Sequence, residues 1–371
     1  MQEDLENKEK QFDYNKIETI RKTIVPQKHA DRYSMHMYFT RRPYNVVQNY
    51  IKHFCKQDDV VLDPFVGTGV TAVESLISRR KTVSVDLAPL STFITKMIAV
   101  SPTDIESLNK DFLNVKTLLQ PDINKIYRTS NSSIDSDFKK IIKDNSLFYP
   151  KDIKLPQIGS AQATKGYITV DQLFSKKQLI SLSMVLKEIN NIKKKENREL
   201  LKFAFSSTLH YTNKMFRPEK TASGPTSVYR YWVPKEISDV NVWDYYERRY
   251  KLVVKGKQET NELIGNYYKE NDTFKIFNKS ATDLTKYIPE NSVDYIFTDP
   301  PYGANIAYLD LSIMWNAWLG FKVTEKDKEL EVIEGGQLKK TQQNYVNLLS
   351  QTFEEMYEVL KKDRWMSVVF H

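Results

Sequence analysis

Two short segments, far apart in the chain, carry residue types whose order suits chemistry. In Asp299-Pro-Pro-Tyr-Gly303 a carboxylate is followed by two prolines and an aromatic ring, directly after the apolar run Tyr295-Ile-Phe-Thr298. Consecutive prolines fix φ and contribute no N–H. The Asp299 carboxylate and the Pro300 carbonyl therefore stand as hydrogen-bond acceptors with no backbone donor between them competing for the same bonds. Tyr302 offers a π face on which a flat ring can stack, an interaction worth about 1–3 kcal/mol per base in single-strand binders. The other segment, Val61-Leu-Asp-Pro-Phe-Val-Gly-Thr-Gly-Val-Thr71, sets Gly67 and Gly69 just after an apolar strand end. Glycine accepts positive φ and lets a ligand approach the backbone, which a side chain would prevent. Either segment alone is also an ordinary strand-ending turn. Their pairing is what points to a site.

The flanking sequence supplies elements to hold both loops. Val60-Val-Leu62 ends a strand, and Val70-Thr-Ala-Val-Glu-Ser-Leu-Ile77 carries a helical apolar stripe, giving the order strand, glycine loop, helix. A second strand, Thr82-Val-Ser-Val85, ends in Asp86, the place where dinucleotide folds hold ribose hydroxyls. The spacing differs from G-x-G-x-x-G, which argues against a nicotinamide site. Strands are also expected at Phe274–Phe277, Asn291–Thr298 and Trp365–Phe370, with helices at Asn45–Phe54, Ile105–Leu119, Ser175–Lys195, Arg198–His210, Val242–Asn266, Ala307–Trp318 and Asn344–Lys361. The class is α/β, with runs buried on both faces that read as parallel strands.

Together the two segments resemble the S-adenosylmethionine-dependent DNA amino-methyltransferases of the N6-adenine/N4-cytosine type, in which F-x-G-x-G is the cofactor loop and D-P-P-Y is catalytic. The resemblance implies a Rossmann-like methyltransferase sheet and a catalytic set of Asp299, Pro300, Pro301 and Tyr302. It also implies cofactor contacts at Thr40, Asp63, Pro64, Phe65, Gly67, Gly69, Asp86 and Asp283, with Ser280 as the alternative to Asp283. Thr40 lies in Tyr38-Phe-Thr-Arg-Arg-Pro43, the position of a segment that contacts the cofactor's methionine end; Arg41 and Arg42 equally suit a solvated helix start. The family exposes its target by flipping it out of the duplex, and the D-P-P-Y form leans towards adenine N6. Its sheet has seven strands where this sequence supplies five. The expectation is that the C-terminal strands are missing and that a second chain or subunit completes the sheet.

The cofactor loop precedes D-P-P-Y, with a long insert between them. We expect an N-terminal arm at 1–30, a discontinuous catalytic domain at 31–100 and 272–371, and a mainly helical target-recognition insert at 101–271. Within the insert, Ser130-Asn-Ser-Ser-Ile-Asp-Ser136 reads as an exposed loop. Basic and aromatic residues interleave between Tyr211 and Pro234. Lys214, Arg217, Lys220 and Arg230 suit phosphates, and Tyr229, Tyr231 or Trp232 suit bases. Packing of the same tyrosines and tryptophan inward is the other reading.

The chain has 371 residues and a formal charge of +8, which favours a polyanionic partner, here DNA. A single cysteine, Cys55, excludes internal disulfides and a cysteine zinc site. Five histidines without metal-site spacing give no metal case. No stretch is long and apolar enough for a membrane helix, and a cytoplasmic setting is the default. Two rival readings remain: an RNA guanine-N2 methyltransferase with a similar Asp-Pro-Pro-Tyr, and a non-catalytic nucleic-acid-binding half of a split methyltransferase.

Overall fold

The computed structural model describes residues 13–28, 30–217, 230–304 and 306–370. Five parallel strands form one sheet in the order β3-β2-β1-β4-β5. They are β1 (Val60–Asp63), β2 (Lys81–Asp86), β3 (Phe274–Asn278), β4 (Val293–Thr298) and β5 (Leu360–Val368). β1 pairs with β2 through Val61↔Thr82 and with β4 through Val61↔Tyr295. The chain builds outward from β1 to β2 and β3, then returns to the other side of β1 for β4 and β5. The order therefore reverses between β1 and β4, and a crevice opens beyond the carboxyl ends of strands at such a point. Both motif loops leave the sheet there. β5 pairs with β4 alone among the described residues.

The helices, in chain order, are α1 (Asp31–Ser34), α2 (Tyr44–Phe54), α3 (Val70–Ile77), α4 (Pro89–Ala99), α5 (Ile105–Arg128), α6 (Asn131–Asp144), α7 (Lys176–Asn190), α8 (Lys195–Leu209), α9 (Val242–Leu263), α10 (Tyr308–Leu311), α11 (Ile313–Leu319), α12 (Glu325–Leu330) and α13 (Gln342–Val359). Two departures from the sequence expectations have a physical cause. α5 does not stop at Leu119 but runs through Pro121, because the buried stripe Leu108, Phe112, Val115, Leu119, Ile123 continues past it. Burying that stripe outweighs the bond a helical proline loses, about 3 kcal/mol. The serine-rich stretch after Ser130 is helix rather than loop. Ser130 caps α6 by accepting from Ser133 N, and Ile134 and Phe138, one turn apart, are buried beneath it.

Insert and sheet share one apolar core. Phe93 of α4 packs edge-on against Phe203 of α8 and Phe321, and Gly256 of α9 lies so close to Met35 that a Cβ would come within 2.5 Å of its Cγ. A buried ion network adds to the join. Arg32 of α1 donates to Glu74 of α3 (2.8 Å) and to Glu259 of α9, while Tyr33 Oη donates to Glu74 at 2.7 Å. Cys55 and His36 are packing residues. Cys55 is fully buried, and the His36 ring stacks on Phe203 with Nε2 3.0 Å from Ser206 Oγ.

Candidate active site

The glycine loop is built by backbone geometry and buried carboxylates. Gly67 has φ +54° and Gly69 has φ +79°, and Gly69 starts α3 from the left-handed region. A Cβ on Gly69 would meet Thr95 Cγ2 at 2.7 Å, so the loop and α4 touch where only glycine fits. Thr95 Oγ1 also donates to Gly67 O at 3.1 Å. Asp86, at the end of β2, accepts from Gly67 N at 2.9 Å and from Ala88 N at 2.8 Å. Asp63, at the end of β1, accepts from Phe65 N and from Thr298 Oγ1, both at 3.1 Å. The last bond fastens the glycine loop to β4, one residue before Asp299.

One pocket spans both loops. Its lining includes Thr40, Arg41, Arg42, Asp63, Pro64, Phe65, Gly67, Asp86, Ser280, Asp299, Pro301, Tyr308 and Glu331. Burial pushes the Asp63 carboxyl up to about 7, Asp86 to about 6 and Glu331 to about 8. Three desolvated acids in the lining of one cavity favour a cationic ligand, which would restore their charge. Glu331 accepts from Leu309 N at 2.9 Å and arrives on the segment after α12. That segment packs on the motif loop, Glu334 N donating to Gly303 O at 3.1 Å.

At the other end Asp299 meets two side chains. Arg42 holds it in a fork, Nε donating to Oδ2 and Nη2 to Oδ1 at 2.8 Å. The Tyr302 hydroxyl also donates to Oδ1 and accepts from Arg42 Nη2. These bonds to Asp299 are the chief cause that raises the Arg42 guanidinium above its ordinary range. The Tyr302 ring has the Arg42 guanidinium 5.7 Å from its centroid and the Phe370 ring 5.9 Å away, edge-on. Tyr302 thus presents its hydroxyl to Asp299 rather than an open face to a ligand. Tyr308 and Tyr38, ring to ring at 6.2 Å, both line the pocket that Asp299 enters.

Other expected residues lie differently. Pro300 is buried and Pro301 reaches the pocket, its carbonyl accepting from Tyr345 Oη at 2.9 Å. The Asp283 carboxylate faces Lys286 at 2.7 Å, outside the lining, whereas Ser280 and Ala281 form part of it. Tyr231 does not face outward as a base platform would. It is 2% exposed, and its hydroxyl donates to Leu311 O at 2.7 Å, a partner that lies far off in sequence. Lys214 donates to Gln172 O at 2.9 Å, Arg217 lies 5.2 Å from the Trp232 ring centroid, and Arg230 is exposed. Lys220 and Tyr229 fall outside the described residues. Among the described residues no cluster of three or more metal-ligating side chains occurs, and no helix is long and apolar enough to cross a membrane.

Sequence reasoning missed Arg42 and Glu331 as site residues. Arg42 had a signal, since it stands in the segment expected to reach the cofactor. Glu331 had none, because only the return of the chain after α12 brings it to the pocket.

A parallel sheet with a glycine loop and an acidic motif loop at its switch point is the architecture of a Rossmann-like methyltransferase. A DNA methylase family matches residues 2–92 of the chain. Over 275 residues the chain is 24% identical to the Type II methyltransferase M.MvaI of Kocuria varians, an alignment covering 72% of this chain and 52% of that protein. The chain spans about half the length of that curated relative. No solved structure matches. These matches support an amino-methyltransferase of the N6/N4 type.

Proposed function

We propose that this chain transfers a methyl group from S-adenosylmethionine to the exocyclic amino group of a flipped DNA base, adenine N6 in preference to cytosine N4. The single observation that carries the reading is the meeting of the glycine loop and Asp299 in one pocket at the β1/β4 switch point. The residues present suit the cofactor. Gly67 leaves the backbone open to close approach, Asp86 stands where ribose hydroxyls are held, Ser280 and Ala281 flank the pocket from β3, and Asp63 and Glu331 favour a cation. When bound, the cofactor supplies an electrophilic methyl on a sulfonium.

Asp299 then acts on the base. Its carboxylate accepts an N–H of the amine, which draws the nitrogen lone pair out of conjugation and aims it at the methyl carbon. Transfer would form the new N–C bond as the donor's S–C bond breaks, and the extra proton on nitrogen would leave to water. Catalysis comes mostly from this positioning. Pro301 and Tyr308 wall the base end, and the segment through Glu331 shields the pocket from solvent.

The test is direct. Purified protein, S-adenosylmethionine and DNA of mixed sequence are incubated, and the DNA is digested to nucleosides for mass spectrometry. N6-methyladenine is expected. N4-methylcytosine would reassign the base, and no methylated nucleoside from DNA, with methylation of structured RNA instead, would overturn the DNA reading.

A further inference from the structure

We propose that Arg42 is a positioning residue for methyl transfer: with Tyr302 it locks the Asp299 carboxylate so that a single acceptor position, on Oδ2, is left for the base amine. This inference rests on the reading of Asp299 as the group that holds the amine. A carboxylate offers about four acceptor positions over its two oxygens. Among the described residues, Oδ1 accepts from Arg42 Nη2 and from Tyr302 Oη, and Oδ2 accepts from Arg42 Nε. Three positions are spoken for and one remains. The fork also fixes the plane of the carboxylate, because a guanidinium presents its donors in a rigid, flat array. A carboxylate free to rotate would offer the amine either oxygen at many angles; this one offers it one direction.

The anchor itself is well placed to hold that plane. Arg42 precedes Pro43, which caps α2, and α2 is buried against the sheet through Val47, Ile51 and Phe54. Its neighbour Arg41 is fastened on the other side, Nη2 donating to His36 O at 2.9 Å and Nε to Thr68 Oγ1 at 3.3 Å. Thr68 belongs to the glycine loop. The two arginines thereby tie the base-holding carboxylate and the cofactor loop to one short segment, and both line the pocket. Lysine at position 42 would supply a charge without a fork and could not set the plane.

Three variants test this: R42Q, R42K and the double variant R42Q/D299N, set beside D299N. R42Q is expected to lower the single-turnover methyl-transfer rate on plasmid DNA about 10- to 100-fold, the cost of a misplaced reacting group. Its Kd for S-adenosylmethionine, read by calorimetry, should change far less than the rate does, since the bonds of Arg42 run to Asp299 and Tyr302. R42K should recover only part of the rate. The double variant should be no slower than D299N alone, since Arg42 acts through Asp299. Multiplying effects in that cycle, an unchanged rate in R42Q, or full rescue by lysine would each overturn the proposal. Should the parent protein transfer no methyl to DNA, the functional reading fails, yet crystal structures of the parent and R42Q still decide the geometry. A carboxylate turned out of its plane in R42Q supports the lock, and an unmoved one refutes it.

Discussion

The two ends of the pocket are made of different material. At the glycine loop the geometry belongs to the backbone: positive φ at two glycines, carboxylates buried at strand ends, and main-chain N–H groups of Phe65, Gly67 and Ala88 donating to them. At Asp299 it belongs to side chains, an arginine and a tyrosine that converge on a carboxylate near the mouth. The Arg42 and Asp299 side chains keep 37% and 23% of their exposure, so solvent screens the pair. The difference teaches that a rigid, dry end suits a ligand that is always the same, whereas the half-open end suits one that arrives attached to a polymer.

The largest effect should separate the ends outright. Asp299→Ala is expected to lower methyl transfer by about 10²–10³-fold, the cost of one hydrogen-bonding group aimed at the reacting centre. Cofactor affinity measured by calorimetry should hardly move. A parallel loss of cofactor binding would mean the two ends are not independent. At the other end, Asp86→Ala should weaken S-adenosylmethionine binding by about 10- to 100-fold, the worth of hydrogen bonds to a charged group, and leave DNA affinity in gel-shift titration unchanged.

Gly69→Ala probes the backbone character of that end. With φ at +79° and Thr95 Cγ2 2.7 Å from the added Cβ, urea denaturation should report a loss of about 1–3 kcal/mol. A neutral result would show that the loop can shift, and that its geometry is not fixed by glycine.

A pH series sharpens the electrostatic side. Burial raises Asp63 to about 7 and Asp86 to about 6, above their unfolded values. The stability their neutral forms contribute is complete below the unfolded carboxylate range, near pH 4, and is lost as pH rises through about 6 and 7. Asp63→Asn should therefore gain on the parent between pH 5 and 8 in thermal melts. Cofactor binding near pH 6 should also release protons, seen as a calorimetric enthalpy that changes with the buffer's own ionisation enthalpy. An enthalpy independent of buffer would show that the bound cation does not face these acids.

The smallest effects are expected in the insert. Lys214→Ala and Arg217→Ala should each reduce the salt slope of DNA binding by less than the full unit of a phosphate contact. Lys214 already donates to Gln172 O and Arg217 lies on Trp232. A full unit from either would place that stretch on the DNA backbone.

Legibility in the sequence followed the range of the forces involved. The five strands read in the sequence, and the helices that follow the glycine loop and precede β5, depend on local periodicity and turn chemistry, and the sequence carried them. At α6 the polar serines of its first turn mask a stripe of only two buried residues, Ile134 and Phe138. In α5 the proline carries a real local cost, while its tertiary compensation, the burial of Leu119 and Ile123, has no local signal. At the site, Thr40, Asp63, Gly67, Asp86 and Asp299 come together in the pocket, while Tyr231 and Asp283 are turned elsewhere by partners distant or unremarked in sequence.

By itself the sequence determined where the backbone must bend and which chemistry stands at each bend, because glycine, proline and alternating apolar residues act within a few positions of themselves. Only the tertiary structure decided which side chains meet. Arg42 reaches Asp299 across 257 positions because α2 packs against β4, the strand that Asp299 follows. Nothing in either segment's own preferences selects the other; the pairing exists only where the core brings their ends to a common rim.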